Sequence, residues 1–175
     1  MAAVIGAVVG TIGGIGGGLV TAMSQGGQQR RQRQIDREHR LDEARRDAYS
    51  VCISTSKQVS AAWWKLAARL RQEGSTEGQW QDPAAEAHAA WAPFSAAVAA
   101  VTVVGPRFVA DAADVLRRAL YDLDMAGTAW HDAARQAGNG RLEFFDARYM
   151  QAVEAKRAPG SDFQMAARKA LNAET

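Results

Sequence analysis

The amino-acid sequence predicts an all-α protein: an N-terminal Gly-rich transmembrane helix, a long juxtamembrane helix and an antiparallel helical bundle. Three observations predict it. Ala2 to Met23 is an uncharged run, AAVIGAVVGTIGGIGGGLVTAM, polar only at Thr11 and Thr21. Alanine, the best helix former, makes up about a fifth of the 175 residues, and glycine and proline are scarce after residue 30 except at a few breaks. Strand signals are nearly absent: Val101-Thr102-Val103-Val104 is the one β-branched run of more than two residues. The chain divides accordingly into a transmembrane anchor (2–23), a basic juxtamembrane stalk (24–47) and a helical bundle (48–175).

A helix over residues 2–23 would be roughly 33 Å long at about 1.5 Å per residue, enough to cross a hydrocarbon layer of about 30 Å. Gly6, Gly10, Gly14 and Gly18 recur four apart and share one helix face. Such a ridge lets a second backbone approach closely, so a glycine zipper and a homo-oligomer are expected. Two alternatives remain at this stage. A secretory signal would carry basic residues before the apolar run, and here only the α-amino group does so; Val20-Thr21-Ala22 loosely resembles a cleavage site. A flexible Gly-rich tail would be favoured in water but not in lipid, where the backbone must bond internally.

After the anchor, Arg30, Arg31, Arg33, Arg37 and Arg40 crowd into a short span. Basic residues flanking a membrane helix stay in the cytoplasm. The expected location is therefore a bacterial cytoplasmic membrane, single-pass, with the N-terminus outside and the bundle in the cytoplasm. These arginines would also meet anionic lipid headgroups, at about 1 kcal/mol each near the surface. Nucleic acid is not the expected partner. Acids alternate with the bases from Asp36 onward, and the net charge is only +2. Asp36–Arg40 and Asp42–Arg46 have the acid-first i,i+4 order of a solvated helix face.

The apolar stripe of the first long helix, from about Gln28 to Gln72, runs Leu41, Ala48, Cys52, Thr55, Val59, Ala62, Trp63, Leu66, Leu70. Glu73 to Gly78 breaks it. Asp82-Pro83 reads as N-cap and first position of a second helix, which Pro93 should kink by removing the bond to Ala89. Antiparallel pairing of these two helices puts Trp63 and Trp91 at similar height. Gly105-Pro106 starts a third helix with the stripe Phe108, Ala112, Val115/Leu116, Ala119, Leu123, Ala126, Trp130, Ala133, stopped by Gly138-Asn139-Gly140. A fourth spans roughly Arg141–Lys156, with Leu142, Phe145, Tyr149 and Ala152 inward. Pro159-Gly160 should break the chain again, and Ser161-x-x-Gln164 reads as a capping box for a fifth helix holding Phe163, Ala167, Ala170 and Leu171.

No catalytic, cofactor-binding or metal-ligating set emerges. His39, His88 and His131 are scattered, without paired ligand spacing. Asp122, Asp124 and His131 are the nearest approach to a cluster. The single Cys52 excludes an internal disulfide framework, fits a reducing compartment and lies on the apolar stripe, where an inert buried thiol is expected. The glycine-rich run lacks the Lys-Ser/Thr of a phosphate loop.

In layout the chain resembles a loose group of small actinobacterial proteins, some labelled Kil-type plasmid-transfer (spread) proteins. The resemblance rests on GAVVGTIGGIGGG, QQRRQRQIDREHRLDEARRDAY, the break VVGPRFVADAADVL and the late FQMAARKAL. It implies a membrane-anchored helical protein and carries over no catalytic residue. The expected function is a non-enzymatic, membrane-anchored scaffold or tether for an unknown protein partner, in plasmid transfer. Two alternatives stand beside it: a membrane-active glycine-zipper oligomer, pore-forming or growth-inhibiting, and a membrane tether for nucleic acid through the Arg-rich collar.

Overall fold

The computed structural model describes residues 15–172, with side chains from 36 to 172. These residues form helices throughout: α1 (Ile15–Arg71), α2 (Glu77–Ala89), α3 (Trp91–Val104), α4 (Arg107–Ala137), α5 (Glu143–Ala155) and α6 (Arg157–Asn172). The chain divides into two compact units, residues 1–41 and 42–175. In the first, Gly6, Gly10 and Gly14 and most of the expected anchor lie outside the described residues. Gly18, Arg30, Arg31 and Arg33 belong to α1 ahead of the described side chains, and Arg37 and Arg40 are exposed on it.

In the second unit the α1 stripe is realised: Ala48, Cys52, Thr55, Val59, Ala62, Trp63, Leu66 and Leu70 are all buried. Leu41, the last residue of the first unit, is exposed. Trp63 meets His88 with ring centroids 5.3 Å apart, one turn ahead of Trp91, so the hairpin register lies within a turn of the expected one. On α4 the expected Leu116, Leu123, Ala126 and Trp130 are buried, whereas the other positions of the stripe are displaced by one residue. Val109, Ala113, Leu120 and Ala134 point inward, while Phe108 and Val115 stay exposed. Phe108 instead lies beneath the Lys169 ammonium, 5.6 Å from its ring centre, a cation–π contact that suits a half-exposed aromatic.

Two boundaries differ from expectation. The second helix starts not at Pro83 but at Glu77, because the Gln79 side chain accepts a bond from the Thr76 amide at 3.0 Å and caps an earlier turn. It then ends at Ala89 and restarts at Trp91, so Pro93 does more than kink it. Proline has no N–H for the Ala89 carbonyl, and in the first turn of α3 that donor is not needed. By the same rule Pro159 does not break the chain. It sits in the first turn of α6, which begins at Arg157 rather than Ser161. Gly138 ends α4 as expected, in the left-handed conformation at φ 63°.

Among the described residues, the stretch Glu77–Val104 contains an 18-residue window with a mean hydropathy of 1.5, long and apolar enough to cross a membrane by length and composition alone. It also supplies Trp80, Ala87, Phe94, Val98 and Val101 to the core.

Candidate functional site

The densest convergence of charge and aromatic surface is built around Arg71, in the last turn of α1. Arg71 Nη2 donates to Asp146 Oδ1 on α5 at 2.6 Å, and Nε donates to Oδ2 at 3.0 Å. This fork geometry is the strong form of an ion pair. The guanidinium also lies 5.3 Å from the rings of Trp64 and Trp130 and 5.9 Å from Tyr149. Three aromatics therefore occupy its surroundings, which is how a delocalised cation is held in a partly dry site. The hydrogen bond to Asp146 raises the Arg71 pKa further above its usual value, so the cation is permanent.

The α4–α5 turn closes over this clamp. Trp130 Nε1–H donates to the Gly140 carbonyl at 2.9 Å. Gly140 itself lies so close to the Leu70 backbone that any side chain there would collide with it. A cleft of about 630 Å³ opens beside the clamp, walled by Arg71, Glu73, Trp130, Asn139, Arg141 and Asp146. Arg141 reaches Glu73 at 3.6 Å across it. Tyr149 is fully buried and its hydroxyl has no hydrogen-bond partner among the described residues. Burial pushes its phenol well above the usual range. Chemically this arrangement locks helices together. The Arg71 charge is spent on Asp146, and Glu143 also lines the cleft.

A second polar group sits deeper in the helix pack. Asp124 Oδ1 accepts from Trp63 Nε1–H at 3.0 Å. His88 Nδ1 is 2.7 Å from the Ala84 carbonyl, which can only accept, so Nδ1 carries the proton. Nε2 then accepts from the Thr128 hydroxyl at 3.3 Å. Burial raises the Asp124 pKa, against the opposing effects of Trp63 and His88. A carboxyl whose folded-state pKa lies above its unfolded value contributes stability that is full below the unfolded pKa and is lost as pH rises through the folded one. Asp124→Asn should therefore raise the melting temperature at pH 7, where the wild-type carboxylate is ionised, and leave it nearly unchanged near pH 3. Melting curves at the two pH values check this, since asparagine Oδ1 still accepts from Trp63.

The other residues considered from sequence are dispersed. Asp122 is exposed, and His131 is half-buried with its Nδ1 3.9 Å from Asp132. Burial lowers the His131 pKa. Cys52 is fully buried and burial pushes its thiol up to about 12, which makes it inert. Among the described residues no group of three or more His, Cys, Asp or Glu could hold a metal ion. On the stalk side, Asp42 pairs with Arg45 at 3.7 Å rather than being held to Arg46. Arg45 Nε also donates to the Val104 carbonyl at the end of α3, at 2.9 Å. Sequence reasoning missed the Arg71 clamp. Its one signal was Trp64 and Arg71 seven residues apart, which places them on the same helix face.

No family model, curated protein or solved structure matches this chain.

Proposed function

We propose that the chain is a non-enzymatic, single-pass membrane protein whose helical unit after residue 41 docks protein partners. The observation that carries this reading is the uncharged run Ala2–Met23 followed directly by Arg30, Arg31, Arg33, Arg37 and Arg40. That order fits an anchor with its basic flank in the cytoplasm. The Arg71 clamp supports a holding role for the unit, because its charged groups are consumed in joining α1 to α5. Plasmid transfer is the process that the resemblance noted above favours.

A full-length variant carrying Val9→Arg and Ile12→Arg tests the anchor. Each arginine at the middle of a spanning helix costs about 2.5–3.5 kcal/mol of insertion free energy. The wild-type chain should sediment with membranes and resist a carbonate wash, whereas the double variant should be released. Equal release of both would refute the reading. A second reading, self-association within the membrane, is favoured specifically by the register of Gly6, Gly10, Gly14 and Gly18.

A further inference from the structure

A trough separate from the Arg71 clamp runs between α1 and α6. Its apolar part encloses about 460 Å³ over a floor of Tyr49 and Ile53 from α1 and Ala167 and Leu171 from α6. Arg46, Lys57 and Arg168 stand on the rim, all exposed, and no carboxylate lines this cavity. Lys57 and Gln164 also line an adjoining cavity of about 390 Å³, with Ser56, Ser60, Lys156 and Ser161 and the apolar Leu116 and Leu120 of α4 on its other walls. No carboxylate lines that one either. The one arginine there, Arg157, is already paired with Glu154 at 2.9 Å. The residue order along the two cavities makes α1 and α6 antiparallel. Residues near 46–53 of α1 face those near 167–171 of α6, and Ser60 faces the start of α6.

The dimensions select among ligands. From Arg46 to Ser60 the trough follows α1 for roughly 21 Å, too long for a compact small molecule. Tyr49, Ile53, Ala167 and Leu171 cover about one helical turn of that length, and over the rest Leu116 and Leu120 share the lining with hydroxyl and ammonium groups. A long acyl chain would have to lie against Ser56, Lys57, Ser60 and Lys156 over the second cavity, at a desolvation cost to them. An amphipathic helix does not have this problem. It presents one apolar anchor per turn and carries charge on its flanks.

We propose that the α1/α6 trough docks a helical segment of a protein partner, with one large apolar side chain over Tyr49, Ile53, Ala167 and Leu171 and flanking carboxylates against Arg46, Lys57 and Arg168. This rests on the docking role proposed above and names the chemistry of the partner. Opposite charges on the rim steer the encounter and fix its register.

The test uses the full-length protein in nonionic detergent micelles and a fluorescein-labelled helical peptide of about 15 residues, with leucines on one face and glutamates on both flanks. Anisotropy should report saturable binding that weakens as salt is added. Lys57→Glu with Arg168→Glu should weaken it by about tenfold or more, and a peptide of the same composition with its leucines scattered should lose at least as much. The lysine-for-glutamate peptide should prefer the double variant, a rescue that a misfolded protein would not give. Circular dichroism checks the fold, and the salt series on the wild type stands if the variant fails it.

No binding to the wild type overturns the proposal, as does binding blind to salt, to the substitutions or to the scattering of leucines. Self-association, or flotation with phosphatidylglycerol vesicles, that is lost in the double variant while the peptide does not bind would assign the trough to a second copy or to lipid instead. None of these results alters the membrane fractionation of the Val9→Arg/Ile12→Arg chain, so the two readings fail separately.

Discussion

Gly127→Val should destabilise the helical unit by about 3 kcal/mol, lowering its melting temperature by roughly 10 °C for a chain of this size. Gly127 is buried in the middle of α4, and a Cβ there would collide with Cε3, Cζ3 and Cδ2 of the Trp63 indole. Trp63 cannot withdraw. It is 1% exposed, its N–H is held by Asp124, and His88 packs against its edge. Even Gly127→Ala, which gains about 1 kcal/mol of helix propensity, should lower stability on balance, because overpacking a filled core typically costs about 1–3 kcal/mol. Thermal melts of the two variants order the effects. A stabilised alanine variant would mean that the indole does not occupy the notch.

Trp130→Ala should cost about 3–5 kcal/mol, the usual range for deleting a buried tryptophan. It removes three things at once: a buried ring, one aromatic wall of the Arg71 site and the hydrogen bond that pins the α4–α5 turn. Trp130→Phe separates them. Phenylalanine restores most of the apolar area but removes one of the two hydrogen bonds to the Gly140 carbonyl, which keeps the Leu142 N–H at 3.0 Å, so about 0.5–1.5 kcal/mol should remain lost. The midpoint of urea unfolding reads both values. Protease cleavage within residues 138–142 should speed up in both variants, since the turn loses its anchor. Unchanged cleavage in Trp130→Phe would show that the hydrogen bond does not hold the turn.

What could be read from the sequence was whatever repeats. The inward faces of α1 and α6 follow from apolar residues at spacings of three and four, and Gly138 announced the end of α4. Leu116 of α4 follows the expected stripe, but the start of the helix does not: Phe108 is large and apolar, and hydropathy cannot register that Lys169, 61 positions later, covers it in a cation–π contact. Pro83 and Pro159 were read as boundaries because proline punctuates a sequence. The actual starts lie at Glu77, after the capping residue Thr76 whose amide donates to Gln79, and at Arg157, where the missing N–H of Pro159 falls among unpaired donors. The Arg71–Asp146 pair joins groups 75 positions apart. Nothing local marks such a pair. Its strength comes from the fork geometry and from Trp64, Trp130 and Tyr149, which only tertiary packing assembles.

The edge-on contact between Tyr49 and Phe163, 6.5 Å between ring centres, has a consequence for how the chain is made. The two rings are separated by more than a hundred residues. A ribosome adding about 5–20 residues per second needs roughly 6–20 seconds to travel from one to the other. For that interval the first long helix has no closing helix to cover Tyr49 and Ile53, and nascent chains with uncovered apolar faces are the ones that aggregate or recruit chaperones. The last sixteen-residue helix thus acts as a timed closure. A stop codon before Arg157 would leave a product that is permanently in the unprotected state of the growing chain.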